Sequence, residues 1–182
     1  MRLRPPFLLF LVGFMGSGKS IVGRLIAEQL GWEFLDLDVM IEHRRHKTVA
    51  AIFEQEGEPA FRRYESAALG DCLQPASGSR VIALGGGAFS QSANRETIAR
   101  SLALVAWLDA PVEELLRRCR EQQSGPLRPL LRDEAQFREL YQQRRPSYET
   151  ASRRIETAGL NPKQVANAIA EWIKSSTVSQ ET

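Results

Sequence analysis

Two spacings of apolar residues alternate along this chain. Short apolar runs at Phe7–Val12, Val81–Leu84 and Val105–Leu108 have the length and make-up of buried strands. Glu33–Asp38 alternates apolar with acidic residues and reads as a further strand, and Arg153–Thr157 as the last. Between them the spacing turns helical. Over 20–30, Ile21, Val22, Leu25, Ile26 and Leu30 share one face, and Gly31 supplies a left-handed stop. A broken helical stretch covers 39–69, with Thr48 as the cap of Val49–Glu56 and Gly57 as its end. Glu58–Glu65 opens the next helix. Val112–Glu121 and Glu134–Arg144 follow, with a break predicted at Arg144–Tyr148. Asn161 caps and Pro162 starts a final helix to about Lys174, and 175–182 reads as a frayed tail. This β-α alternation within one domain predicts a mostly parallel sheet covered on both faces, a three-layer α/β/α architecture.

Composition narrows the picture. The 182 residues suit one domain, with 43% hydrophobic and 25% charged content. A formal net charge of +2 is too small to argue for nucleic acid or a membrane surface. Of the 24 basic residues only four are lysine, and Arg offers a planar fork for carboxylates and phosphates. Cys72 and Cys119 form no C-x-x-C and fit a reducing cytoplasm. Arg2 and Arg4 before the run from Phe7 imitate a signal peptide, but cleavage after that run would destroy the motif that follows it.

That motif is Gly13-Phe14-Met15-Gly16-Ser17-Gly18-Lys19-Ser20, a full match to G-x-x-x-x-G-K-[ST] between a predicted strand and a predicted helix. Its glycines let successive N–H groups cradle phosphate oxygens, and the helix N-terminus adds partial positive charge. Lys19 can reach the β- and γ-phosphates, and the Ser20 hydroxyl can bind Mg²⁺. Asp36 and Asp38, two apart at the end of a predicted strand, would leave one face together at the edge where open α/β sheets bind ligands. The alternative is a pair of helix-capping aspartates. Asp36 is the better magnesium candidate, and Asp109, followed by Ala110-Pro111, reads as a helix start instead. Arg62 and Glu65 can pair at i, i+3, either in a site or on the surface. Gly85-Gly86-Gly87 after a strand permits close approach of backbone to ligand, or a plain turn. His43 and His46 in a basic stretch fit a solvated helix face better than a metal site. Arg128 and Arg132, in a Gly/Pro-punctuated stretch, suit a cover over phosphates.

Several motifs agree in order and spacing with one family. The chain resembles shikimate kinase over essentially its whole length. The resemblance is carried by Gly13–Ser20, Phe34-Leu35-Asp36-Leu37-Asp38, Ile52-Phe53, Gly57-Glu58, Phe61-Arg62-x-x-Glu65, Leu84-Gly85-Gly86-Gly87, Arg128-Pro129-Leu130-Leu131 and Arg144-x-Pro146-x-Tyr148. It implies a nucleoside-monophosphate-kinase-like fold with a five-stranded parallel sheet in the order 2-3-1-4-5. Residues 1–182 would form a single P-loop kinase domain, with substrate-binding helices over about 38–70 and a lid over about 120–133. It also implies transfer of the ATP γ-phosphoryl to the 3-hydroxyl of shikimate, a step of aromatic amino-acid biosynthesis, by a cytoplasmic monomer with no nucleic-acid or membrane partner. By motif match, Gly13, Gly16, Ser17, Gly18, Lys19, Ser20, Ile21, Arg120 and Arg128 would contact ATP, and Ser20 and Asp36 would hold Mg²⁺. Asp38, Phe53, Phe61, Arg62, Glu65, Gly85, Gly86, Gly87 and Arg144 would contact shikimate. Lys19, Asp38 and Arg128 would carry the transfer. Arg62 and Arg144 would grip the carboxylate, with Glu65 orienting Arg62 and Phe53 and Phe61 walling the ring. The stretch 120–127 is longer and less basic than the family's usual lid, and Arg120 is the arginine expected on adenine. A gluconate-type kinase would not need Phe-Arg-x-x-Glu or the Arg144 clamp. A non-enzymatic nucleotide sensor would be expected to lack Lys19, Asp38 or Arg62; all three are present.

Overall fold

A computed structural model describes residues 7–75, 77–121 and 133–178. The elements in chain order are β1 (Leu8–Val12), α1 (Lys19–Leu30), β2 (Glu33–Asp36), α2 (Leu37–Arg45), α3 (Val49–Cys72), β3 (Arg80–Ala83), a 3-10 turn (Ala88–Ser90), α4 (Ser92–Arg100), β4 (Leu104–Asp109), α5 (Val112–Glu121), α6 (Glu134–Tyr148), β5 (Arg153–Glu156) and α7 (Pro162–Val178). The strands form one five-stranded sheet in the order β2-β3-β1-β4-β5. Every pairing in it is parallel.

The period-2 alternation of β1 divides the core. Leu9 and Leu11 face α1 and α7 and pack with Ile26, Ala106, Leu108, Val165 and Ile169. Phe10 and Val12 face the opposite side, with Ile82, Leu84, Trp107, Phe61 and Tyr148. Both faces are therefore dry, as parallel strands require. The stretch that imitates a signal peptide supplies β1, the central strand of this sheet.

Four features differ from the sequence expectation. Asp38 does not extend β2: the strand ends at Asp36, and Asp38 lies in the first turn of α2. Asp36 turns the chain, because its Oδ1 accepts from the N–H groups of Asp38 (3.1 Å) and Val39 (3.4 Å) and so caps α2. The two carboxylates thus leave a strand end and a helix N-terminus. Arg144–Tyr148 is not a break, since α6 continues through Pro146 to Tyr148. Pro146 removes the donor for the Gln142 carbonyl, and Gln142 lies on the exposed side, where water can take its place. Ile21 is not on the core face of α1; it is 47% exposed, whereas Val22 and Ile26 are buried. Finally, α7 runs on to Val178, into the stretch read as a frayed tail, whereas the helix that the β-α alternation requires between β3 and β4 is α4.

The prediction for Gly57 holds. The residue sits at φ 80°, ψ 168° and divides α3 into two helical segments at a kink, with Pro59 in the first turn of the second. Thr48 caps the first segment through the N–H of Ala51. His43 and His46 lie at the end of α2, and no metal-binding group of three or more His, Cys, Asp or Glu occurs among the described residues. No helix among them is long and apolar enough to cross a membrane.

Candidate active site

Parallel register places two glycine-rich turns side by side. β1 and β3 pair Leu11 with Ala83, and the N–H of Leu84 donates to the Leu11 carbonyl at 3.0 Å. Both strands then end, so Gly13–Gly18 and Gly85–Gly87 emerge at the same edge of the sheet.

The first turn is built by exclusion of side chains. Gly13 and Gly16 have φ of 144° and 79°, and a Cβ on either would lie 2.5 Å from the Leu108 carbonyl or 2.6 Å from that of Leu115. Gly18, at φ 89°, is the left-handed N-cap of α1. Lys19 folds back over the loop: its Nζ donates to the carbonyls of Gly13 (2.9 Å) and Phe14 (3.0 Å) and to Ser17 Oγ (3.3 Å). Burial lowers its pKa to about 8, against the opposing pull of Asp38 and Asp36. The Ser20 hydroxyl donates to Asp36 Oδ2 at 2.6 Å. One Asp36 oxygen therefore caps α2 and the other meets the loop. A hydroxyl and a carboxylate oxygen in this arrangement form the hard, incomplete oxygen set that Mg²⁺ takes when phosphates and water complete its shell. A cleft of about 670 Å³ opens over these groups, lined by Gly16, Lys19, Ser20, Asp36, Asp38 and Gly86 among others.

The second turn gathers four charged side chains from three helices. A Cβ on Gly85 would lie 2.5 Å from Asp38 Oδ1 and 2.8 Å from Glu65 Oε1, so both carboxylates press against that backbone. Both of these oxygens are buried without a hydrogen-bond partner. Burial raises the pKa of both carboxyls, with Asp36 adding to the rise at Asp38. A Cβ on Gly87 would collide with the Arg62 guanidinium, and Gly86 lies against Arg144 Nη1. Glu65 is fully buried, and its Oε2 accepts from Arg62 Nη1 at 2.5 Å and from Gln91 Nε2 at 3.1 Å. Burial alone would lower the Arg62 pKa, but Glu65 and Glu58 more than offset it. Arg144 has its pKa lowered by burial, with Arg62 contributing, and its guanidinium lies 5.7 Å from the Phe14 ring centroid. Phe53 and Phe61 pack ring on ring at 4.7 Å, with Arg62 about 6 Å from each. Phe61 is buried and Phe53 is 38% exposed.

The structure thus brings Lys19, Ser20, Asp36 and Asp38 to one cleft, and Arg62, Glu65 and Arg144 to the glycine wall beside it. Ile21 is exposed in the first turn of α1. Arg120 is held in an ion pair with Glu134 at 2.7 Å, which joins α5 to α6. Arg128 lies outside the described residues. Asp109 is structural: it is buried, accepts from Tyr141 and Arg154, and its carbonyl anchors Thr157.

Three contributors had gone without a role. The Tyr148 hydroxyl donates to the Gly86 carbonyl. Tyr148 stands four residues after Arg144 on one uninterrupted helix, so both reach the same turn. Its signal was the Arg144-x-Pro146-x-Tyr148 motif, once read as continuous helix. Glu58 binds Arg62 at 2.6 Å, and its i, i+4 spacing to Arg62 was the available signal. Gln91, which steadies Glu65, follows the glycines in a stretch with no recognisable pattern.

Comparison with known proteins adds independent findings. A family model described as "Shikimate kinase" matches residues 15–174. The chain is 38% identical over 166 residues to a shikimate kinase of Persephonella marina, covering 91% of this chain and 98% of that one. It is 45% identical over 151 residues to a shikimate kinase of Thiobacillus denitrificans, covering 82% and 81%. Its fold superposes on the shikimate kinase of Acinetobacter baumannii in complex with shikimate with a TM-score of 0.83, at 38% identity, covering 96% and 95%.

Proposed function

This chain belongs to the shikimate kinase family, and from that premise we propose how its residues divide the work of moving the ATP γ-phosphoryl to the 3-hydroxyl of shikimate. The product pair is shikimate 3-phosphate and ADP, and the step serves aromatic amino-acid biosynthesis. Phosphoryl transfer demands positioning and charge neutralisation more than covalent chemistry. Gly13, Gly16, Ser17 and Gly18 wrap the phosphate chain with main-chain N–H groups. Lys19 exchanges its loop carbonyls for phosphate oxygens. Ser20 and Asp36 would hold Mg²⁺, which would neutralise phosphate charge.

The acceptor sits against Gly85–Gly87. Arg62, held by Glu65, and Arg144, held beside Tyr148, take the shikimate carboxylate. Phe53 and Phe61 cover the ring. Asp38 accepts from the ring hydroxyls, and as the 3-oxygen attacks phosphorus it takes that hydroxyl's proton. A pKa raised by burial suits it to that task. Arg128 and Arg120 are assigned to the phosphates and to adenine on the resemblance alone. The helices over about 38–70 form the acceptor side, which is supported by Asp38 on α2 and by Arg62 and Glu65 on α3. The lid over about 120–133 again rests on the resemblance. The reduced thiol of buried Cys72, and acceptor-side groups all drawn from this chain, support a cytoplasmic monomer.

One observation carries this reading: the unpartnered, buried Asp38 oxygen lies against Gly85, within electrostatic reach of both the phosphate-loop Lys19 and Arg62. ADP release should be measured with shikimate, quinate, gluconate and nucleoside monophosphates. Shikimate is expected to give turnover well above the others. Equal or greater turnover with gluconate or a nucleotide would refute the assignment.

A further inference from the structure

Arg62 already holds a carboxylate where its substrate should bind. A guanidinium can receive a carboxylate with two N–H groups on its Nη1/Nη2 end or on its Nε/Nη2 side, and with Nη1 committed to Glu65 the side edge is the one left. In this structure Nε and Nη2 both donate to Glu58 Oε1, at 3.0 and 2.6 Å. The remaining anchor is Glu65 on Nη1, and Gly87 backs the plane. The two glutamates are not equivalent. The Glu65 side chain is 1% exposed and has Gln91 as a second partner, so it stays. The Glu58 side chain is 60% exposed and stands beside the kink at Gly57, so it can rotate into water at little cost.

We infer that Glu58 is a positioning residue that occupies the carboxylate seat of Arg62 until the acidic acceptor displaces it; this rests on the function proposed above. Its presence keeps the empty guanidinium oriented and neutralised. It also sets a threshold, since an incoming anion must bind Arg62 better than the resident carboxylate does. A rigid cyclic acid that Arg144 also grips passes that threshold, whereas a small free anion fails it.

The test is Glu58→Gln, which keeps the shape and removes the charge at an exposed position. The KM for shikimate should fall about two- to fivefold, the range of an exposed ion pair. The kcat and the KM for ATP should stay unchanged. The uncharged analogue in which the carboxylate is reduced to an alcohol should show no change in KM. A shikimate KM at or above the wild-type value overturns the inference whatever happens to kcat, and so does an equal gain for the alcohol. Absence of shikimate-dependent turnover in the wild type would refute the proposed function instead. Calorimetric titration of both proteins with a cyclic monocarboxylic acid would still decide whether the charge of Glu58 opposes binding at Arg62.

Discussion

Lys19 and Asp38 show how burial sets chemistry one residue at a time. The Lys19 ammonium loses its proton as pH rises through about 8 in the free protein. Bound phosphates favour the charged form, so its pKa is higher in the complex. Nucleotide affinity should therefore fall as pH rises above about 8, approaching tenfold per unit until the complex also titrates. Fluorescence titration with an ATP analogue between pH 6.5 and 9.5 would measure it, and a flat profile would contradict it. Asp38 has the opposite linkage to stability. Its folded pKa lies above the unfolded value, so its charge costs stability that is lost as pH rises from the unfolded pKa through the folded one. At neutral pH, Asp38→Asn should raise Tm by a few degrees, roughly 2–4 °C per kcal/mol of relieved cost. The same change should remove turnover. A lower Tm would mean that the carboxylate stabilises the fold, against this account.

Elements position these residues, and α3 depends on a single backbone angle. At φ 80° and ψ 168°, Gly57 occupies a region closed to other residues, although a Cβ there would meet only Pro59 at 3.7 Å. Gly57→Ala is thus a test of conformation rather than of space. It should cost about 1–3 kcal/mol of stability. It should also raise the shikimate KM, because Arg62 and Glu65 ride on the segment beyond the kink, and leave nucleotide affinity unchanged. Chemical denaturation and steady-state kinetics would report the two effects separately. At this scale the sequence was readable wherever a local signal existed. Gly57, Thr48 and the phosphate loop carry stop, cap and motif within a few residues. Asp38 misled because apolar-acidic alternation looks like a strand, and the Asp36 cap that ends it needs the helix to be known first. Pro146 misled because Pro is read as a breaker, and only packing shows that the exposed carbonyl it strands is tolerable. Gln91 acts through Glu65, a partner 26 residues away that no local pattern names, whereas Glu58 had a local i, i+4 signal to Arg62.

For the whole molecule, the parallel sheet order decides that two sites can be neighbours yet separable. On the function proposed above, the nucleotide-side groups come from the end of β1, from α1 and from the end of β2, and the acceptor-side groups from α2, α3, α6 and the end of β3. Each ligand alone should therefore stabilise the protein, by about 2.7 kcal/mol at a hundred times its Kd. In Arg62→Ala the thermal shift with shikimate should vanish while the shift with ADP remains. Loss of both would show that the arginine supports the fold as a whole. The sheet order itself was accessible only through family resemblance, because β-α alternation implies parallel strands without saying which lie side by side.

The glycine wall also limits how this enzyme could be redesigned. Gly85 and Gly87 have no room to grow, since any added carbon would strike Asp38, Glu65 or Arg62. Glycine also has no side chain to trim, so enlarging the cup for a bulkier acid must proceed from the Phe53 side, where the ring already borders solvent. Trimming that ring would widen the entrance while leaving the charged apparatus in register, so promiscuity should arise there first in any laboratory selection.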